Sequence, residues 1–258
     1  MNDQFQETVL KATAANKMTQ IEVIQELWSG YGVIARFALE NSDHATVIVK
    51  HIALPAASNH PRGWNSDISH NRKMKSYEVE SHWYQQWSKR CDERACLPKC
   101  LGVASQKNER LIILEDLDAA GFPLRKNSVS INELKSCIAW LAHFHASYLG
   151  EKPSGLWETG TYWHLDTRPD ELKALDDLPL RAAAAAIDQQ LKASPYQTFV
   201  HGDAKLANFC FSKDGTAVAA VDFQYVGGGC GMKDLAYLIG SCLYEEDCEA
   251  REAELLDH

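Results

Sequence analysis

From Ile21 to Leu27 and again from Val33 to Leu39, β-branched and aromatic residues are interleaved with polar ones, with Ser29-Gly30-Tyr31-Gly32 between the two runs. The pattern predicts two strands around a glycine turn. Asn41-Ser42-Asp43 is turn chemistry, and the β-branched run Thr46 to Ile52 predicts a third strand, interrupted by Lys50. Pro55 to Arg72 is mostly polar and predicts a loop long enough for a functional role or for disorder. Lys73 to Lys89 has a helical pattern. Cys100–Ala104 and Arg110–Leu114 predict two more strands joined by a polar hairpin, Ser105 to Glu109.

Beyond this point the period changes. Asn132 to Tyr148 carries Leu134, Ile138, Leu141 and His145 at three-four spacing, Pro169 to Leu191 holds five consecutive alanines, and Asp234 to Tyr244 is short and apolar. Phe199 to Phe223 breaks the helical pattern: Phe199-Val200, Phe209 to Phe211 and Val218 to Phe223 are strand-like, with a hairpin signal at Lys213-Asp214-Gly215. The expected organisation is an N-terminal domain over 1–117, an antiparallel five-stranded sheet with one helix, and a mainly helical domain over 118–258. Leu255 to His258 still lies in a helical pattern without a stop signal, so further helices are expected to follow.

Composition narrows the function. The chain has 258 residues, 45% hydrophobic and 24% charged, which excludes long disorder and leaves room for one large or two modest domains. Lys and Arg number 26 against 35 Asp and Glu, a formal charge of −9, which argues against duplex nucleic acid or an anionic membrane as the main partner. No apolar run reaches the roughly 20 residues of a membrane helix, and the polar N-terminus does not read as a signal peptide, so a cytoplasmic location is expected. Of eight cysteines, Cys91, Cys96 and Cys100 are the tightest group. Their spacing does not form paired two-residue knuckles, and reduced, mostly buried thiols are expected.

The polar residues between Val200 and Phe223 carry the chemistry. His201-Gly202-Asp203 is followed by Asn208 five residues after the Asp, and Asp222 ends a later strand-like piece. A loop and a hairpin bring these oxygen-bearing side chains together, the ligand type a hard cation such as Mg²⁺ requires. Phosphoryl transfer also needs a carboxylate to accept the proton of the attacking hydroxyl. The pattern resembles the catalytic core of the protein-kinase-like superfamily and is most similar to the aminoglycoside phosphotransferase and choline kinase branch. Asp222-Phe223-Gln224, with Gly231 to Leu238, resembles the ecdysteroid-kinase-like subgroup. The resemblance implies that Asp203 is the catalytic base, that Asn208 and Asp222 hold the metal, that His201 orients the loop and that Asp234 braces it. Lys205 is either a γ-phosphate contact, and so a candidate catalytic residue, or a solvated cation.

The N-terminal half fits the same scheme. Lys50 is a cation inside a strand, costly to bury without an anion. Glu80 opens a Glu-x-x-Trp-Tyr sequence on the following helix and is the expected partner, ahead of Glu78 on another face. Backbone N–H groups of Ser29, Gly30, Tyr31 and Gly32 would cover phosphates, and the backbone of Glu115 and Leu117 would meet an adenine edge at the hinge after the fifth strand. His143 and His145, two residues apart on a helix, lie on different faces, which argues against a shared metal, and Gly227 to Gly229 read as a flexible joint.

The resemblance therefore implies an α+β, bilobal protein-kinase-like fold with its active site between the lobes, and a kinase using ATP and Mg²⁺. Its partner would be a small-molecule hydroxyl acceptor, choline-like, aminoglycoside-like or steroid-like, with Trp157, Tyr162 and Trp163 as candidate pocket aromatics. A nucleotide-binding pseudokinase or scaffold is the alternative, and intact Lys50, Asp203, Asn208 and Asp222 argue against it.

Overall fold

The computed structural model describes residues 3–27, 30–53, 66–106, 109–162 and 164–258, without the side chains of 66–69. Ser29, Trp163 and positions 54–65 of the expected loop lie outside the described residues. The chain forms two compact units, Met1–Lys89 with Leu97–Leu124, and Arg90–Cys96 with Arg125–His258.

In the first unit a helix α1 (Asp3–Thr13) precedes strands β1 (Lys17–Glu26), β2 (Gly32–Glu40) and β3 (Thr46–Ala53), then helix α2 (Ser66–His82) and strands β4 (Cys100–Gln106) and β5 (Glu109–Glu115). The strands form one antiparallel sheet in the order β1-β2-β3-β5-β4, the five strands expected. Period-two alternation sorts their side chains. Ala35 and Phe37 of β2, Val47 and Val49 of β3 and Leu111 and Ile113 of β5 share one face and bury themselves against Phe5 and Val9 of α1. Lys50, out of phase with Val47 and Val49, projects from the opposite face, where α2 supplies its partner.

Two features differ from the sequence pattern. The sheet carries a second helix, α1, which escapes notice because only Phe5, Val9 and Thr13, at i, i+4 spacing, are buried in an otherwise polar segment. Residues 66–72 are helix rather than loop. After His82 the helix widens into a π-turn, Trp83–Trp87, with Trp83 and Tyr84 buried.

The second unit is mainly helical: α3 (Ile131–Ser147), α4 (Pro169–Ala174), α5 (Leu178–Ala193), α6 (Met232–Cys242) and α7 (Glu245–Asp257), with β6 (Gln197–Val200) paired to β9 (Gly227–Cys230) and β7 (Phe209–Phe211) to β8 (Val218–Ala220). A capping box starts α3: Glu133 N–H donates to Ser130 Oγ, and the Glu133 carboxylate accepts from Ser130 N–H. Trp140 and Phe144 of α3 stack with centroids 5.0 Å apart and pack on Phe209 and Phe223. The Arg90–Cys96 segment joins this unit through the Cys96 carbonyl, which accepts from the Trp140 indole N–H at 2.7 Å and from Ala220 N–H at 3.0 Å.

The expected helix over 169–191 is two helices. Asp177 caps the second by accepting from Leu180 N–H at 2.9 Å, and Pro179 stands in its first turn. The strand expected over 218–223 stops at Ala220, because Asp222 takes a left-handed backbone with φ of +68°. The glycines at 227–229 are no flexible joint. They form β9, and a Cβ on Gly227 would lie 2.1 Å from the Trp157 carbonyl oxygen, so the run permits close passage of two backbones. None of the eight cysteines is in a disulfide. Among the described residues no helix is long and apolar enough to cross a membrane.

Candidate active site

The segment 201–208 is held from below by one carboxylate. Asp234, in the first turn of α6 and buried, accepts from His201 N–H at 2.6 Å, from Gly202 N–H at 2.9 Å and from His145 Nε2 at 3.0 Å. Burial pushes this carboxyl up, yet the hydrogen bond and charge of His145, with the Gly202 N–H, hold it below the usual carboxylate range. His145 thus serves the loop through Asp234. Gly202 has φ of +81°, and a Cβ there would meet the Tyr225 carbonyl at 2.2 Å, so only glycine fits.

His201 is fully buried. Its Nε2–H donates to the Val221 carbonyl at 3.0 Å, which leaves Nδ1 to accept from Asp203 N–H at 3.3 Å. Both ring nitrogens are spent on backbone, so this side chain orients the loop. Ser241 of α6 adds a third support, its Oγ accepting from Leu206 N–H at 2.9 Å.

Asp203 and Asn208 are buried together. Asn208 Nδ2 donates to the Asp203 carbonyl at 2.7 Å and to Asp203 Oδ2 at 3.0 Å. The amide nitrogen is therefore occupied, and Oδ1 is the end that Asn208 can offer a cation. The Asn208 carbonyl accepts from Val221 N–H at 3.0 Å, continuing the β7–β8 ladder and setting Asp222 beside Asn208. Asp222 Oδ1 accepts from Gln224 Nε2 at 2.7 Å, and Gln224 is itself held by the Trp157 indole N–H on its carbonyl. One carboxylate and one amide oxygen form a hard-oxygen set suited to Mg²⁺, which is bound by one or two such groups together with substrate phosphates. Among the described residues no group of three or more His, Cys, Asp or Glu is arranged to hold a metal by itself, Cys91, Cys96 and Cys100 included.

Lys205 Nζ lies 3.0 Å from Asp203 Oδ2, and its side chain is 41% exposed. Burial pulls the ammonium down, but the hydrogen bond and charge of Asp203, with Tyr237 and Asp222 beyond, raise it above an ordinary lysine. Lys205 is thus an ion-paired neighbour of Asp203 rather than a solvated cation. Tyr237 of α6 is coupled to the same carboxylate, burial and the Asp203 charge pushing its hydroxyl up. Of the candidate pocket aromatics, Trp157 is buried, while Tyr162 is half-buried against Tyr225 at 4.9 Å and under the Arg168 guanidinium at 5.5 Å.

In the first unit, Lys50 Nζ and Glu80 Oε2 form an ion pair of 2.6 Å with both side chains at least 96% buried. Breaking such a pair from one side costs about 3–5 kcal/mol. The glycine turn is closed by Gly30 N–H on the Leu27 carbonyl and Leu27 N–H on the Gly32 carbonyl, at 3.1 and 2.8 Å. Gly32 has φ of +129°, with no space for a Cβ beside the His51 carbonyl. The Gly30 N–H is used internally, and the Tyr31 side chain is buried, its hydroxyl hydrogen-bonded to His70 Nδ1 at 2.7 Å.

After β5, Glu115 N–H donates to the Lys99 carbonyl at 2.9 Å and its carboxylate meets Lys99. Leu117 N–H has no acceptor among the described residues. Between them stands Asp116, buried and bound by Arg36 Nε at 2.7 Å. Arg36 escaped the sequence reading, although it is a lone cation inside a strand, the signal that singled out Lys50.

The phosphotransferase enzyme family model matches residues 110–257, more than half of the chain. The ecdysteroid kinase-like family model matches residues 31–152. Among solved structures, aminoglycoside phosphotransferase APH(3'')-Id from Streptomyces rimosus superposes with a TM-score of 0.51 at 15% identity, over 100% of this chain and 92% of that one. Its complex with ADP and streptomycin gives 0.55 at 15% identity, over 100% and 91%. An aminoglycoside-3'-phosphotransferase of type VIII gives 0.51 at 13% identity, over 89% and 80%. The shared feature is the kinase-like α+β fold. No curated protein sequence matches the chain.

Proposed function

This chain belongs to the phosphotransferase enzyme family, and from that premise we propose that it is an ATP- and Mg²⁺-dependent kinase that phosphorylates a hydroxyl of a small molecule. The observation that carries the reading is the Asp203 carboxylate. Asn208 and Lys205 both bind its Oδ2, so two donors hold the group in one orientation. Asp203 aligns the acceptor hydroxyl and takes its proton as the new O–P bond forms and the bond from the γ-phosphorus to the ADP oxygen breaks. Lys205 supplies positive charge beside that proton transfer. Lys50, held by Glu80, positions the nucleotide phosphates. Asn208 and Asp222 would hold Mg²⁺, which when bound would supply positive charge against the negative charge that develops during phosphoryl transfer.

Calorimetric titration of ATP with and without Mg²⁺ tests the reading. Metal-dependent binding is expected in the wild type, weakened roughly tenfold or more by Asp222→Ala. Equal Mg·ATP affinity in the two proteins would remove Asp222 from the site, and absence of ATP binding by the folded wild type would remove the kinase reading itself.

A further inference from the structure

The hinge reading leaves a physical question, because a backbone N–H recognises a flat base edge only if its peptide is held at a fixed angle. After β5 the chain leaves the sheet, and the ladder that fixes Glu115 no longer fixes Leu117. Something else must.

Arg36 sits in the middle of β2, opposite Glu22 of β1 and Ile48 of β3. Its phase places it on the sheet face that carries Lys50, away from α1. Every nitrogen of its guanidinium is engaged. Nε donates to Asp116 Oδ2 at 2.7 Å, Nη2 to Asp118 Oδ2 at 2.5 Å and to Asp116 Oδ1 at 3.3 Å, and Nη1 to Glu22. Asp116 is bound twice more: Thr46 Oγ donates to Oδ2 at 2.7 Å, and Asp118 N–H to Oδ1 at 3.1 Å. The planar fork thus grips the residues on both sides of Leu117. Leu117 contributes a buried side chain and a carbonyl that accepts from Phe122 N–H at 2.8 Å, while its N–H has no acceptor among the described residues.

We infer that Arg36 is a positioning residue for nucleotide recognition: by clamping Asp116 and Asp118 it sets the angle of the Leu117 N–H toward the base, without touching the nucleotide. The inference rests on the ATP-kinase reading above. It separates Arg36 from Lys50, which acts on the phosphates, and it gives Asp116 a task that its buried carboxylate could not perform toward a ligand.

Binding of two probes separates this role from a merely structural one. Mg·ATP uses the base and phosphate contacts, whereas Mg·tripolyphosphate uses only the latter. In Arg36→Met the Kd for Mg·ATP is expected to rise roughly five- to tenfold, the worth of one well-placed hydrogen bond, with that for Mg·tripolyphosphate unchanged within about twofold. Arg36→Lys, which keeps the charge but not the fork, should behave as Arg36→Met does. Asp118→Asn, at a partly exposed carboxylate, should show the same selective loss in smaller measure, and serves if the Arg36 variants do not fold. Equal weakening of both probes, or Mg·ATP binding unaltered by these substitutions, overturns the inference while leaving the kinase reading intact. A wild type that binds tripolyphosphate but shows no preference for ATP overturns it too, and a wild type that binds neither removes the reading beneath it.

Discussion

Asp203→Ala is expected to lower phosphoryl transfer by roughly 10²- to 10⁴-fold, the usual range for loss of a general base, with Mg·ATP affinity changed little. The expectation follows from what the carboxylate touches. Its Oδ2 receives Asn208 and Lys205, and its own N–H is tied to His201, so the side chain is preorganised and every neighbour orients it. Alanine removes the proton acceptor and also strips Asn208 Nδ2 and Lys205 of an acceptor. Asp203→Asn separates the two effects, because an amide oxygen still receives both donors while its basicity is negligible. Release of ADP against a panel of alcohols, including choline, streptomycin and an ecdysteroid, provides the measurement. Both variants should be inactive. An active Asp203→Asn would show that the position only organises the loop, and base catalysis would have to be sought elsewhere.

The second large effect concerns stability. Asp234→Ala is expected to cost about 3–5 kcal/mol of folding free energy, the range for removing one partner from a buried charged network. The substitution leaves the N–H groups of His201 and Gly202 without their acceptor and His145 without its carboxylate. Denaturant unfolding would show a lower midpoint with an unchanged slope. The effect also has a pH signature. The folded-state pKa of Asp234 lies below that of a carboxylate in the unfolded chain. Its contribution is therefore full above about pH 4, near the unfolded value, and is lost as pH falls through the lower folded value. The stability gap between wild type and Asp234→Ala should narrow on acidification below that point. A gap that is constant down to the acid limit would mean that the charge of Asp234 does not support the loop.

Much of this arrangement was legible in the sequence because it is carried by residue types with few other uses. A lysine inside a β-branched run demands an anion, and Glu80 is there at 2.6 Å. Between His201 and Asp203 the glycine is required by packing, because a Cβ on Gly202 would lie 2.2 Å from the Tyr225 carbonyl oxygen. The failures share a cause as well. α1 is too polar for periodicity to mark it, since burial of one residue in four suffices to dock a helix. The left-handed turn at Asp222 has no signature, because aspartate adopts that conformation only when its surroundings impose it. Gly227 to Gly229 show the limit most plainly: composition cannot distinguish a glycine chosen for freedom from one chosen because another backbone passes within a Cβ's reach. Arg36 was readable in principle, but its three acidic partners come from two separate stretches of chain, and only the sheet register reveals that they converge.

The path of the Arg90–Cys96 segment bears on how this enzyme can be taken apart. A gene fragment beginning at Arg125 would encode Trp140 and Ala220 but omit the Cys96 carbonyl that accepts from both. Two N–H groups beside an aromatic core would then be left unanswered, so the fragment should be difficult to isolate as a folded product. A single crossover between this gene and a homologue's would likewise graft one parent's C-terminal part onto the other parent's seven-residue stitch. Chimaeras that exchange Arg90–Cys96 together with everything after Arg125 keep that stitch with the surface it closes.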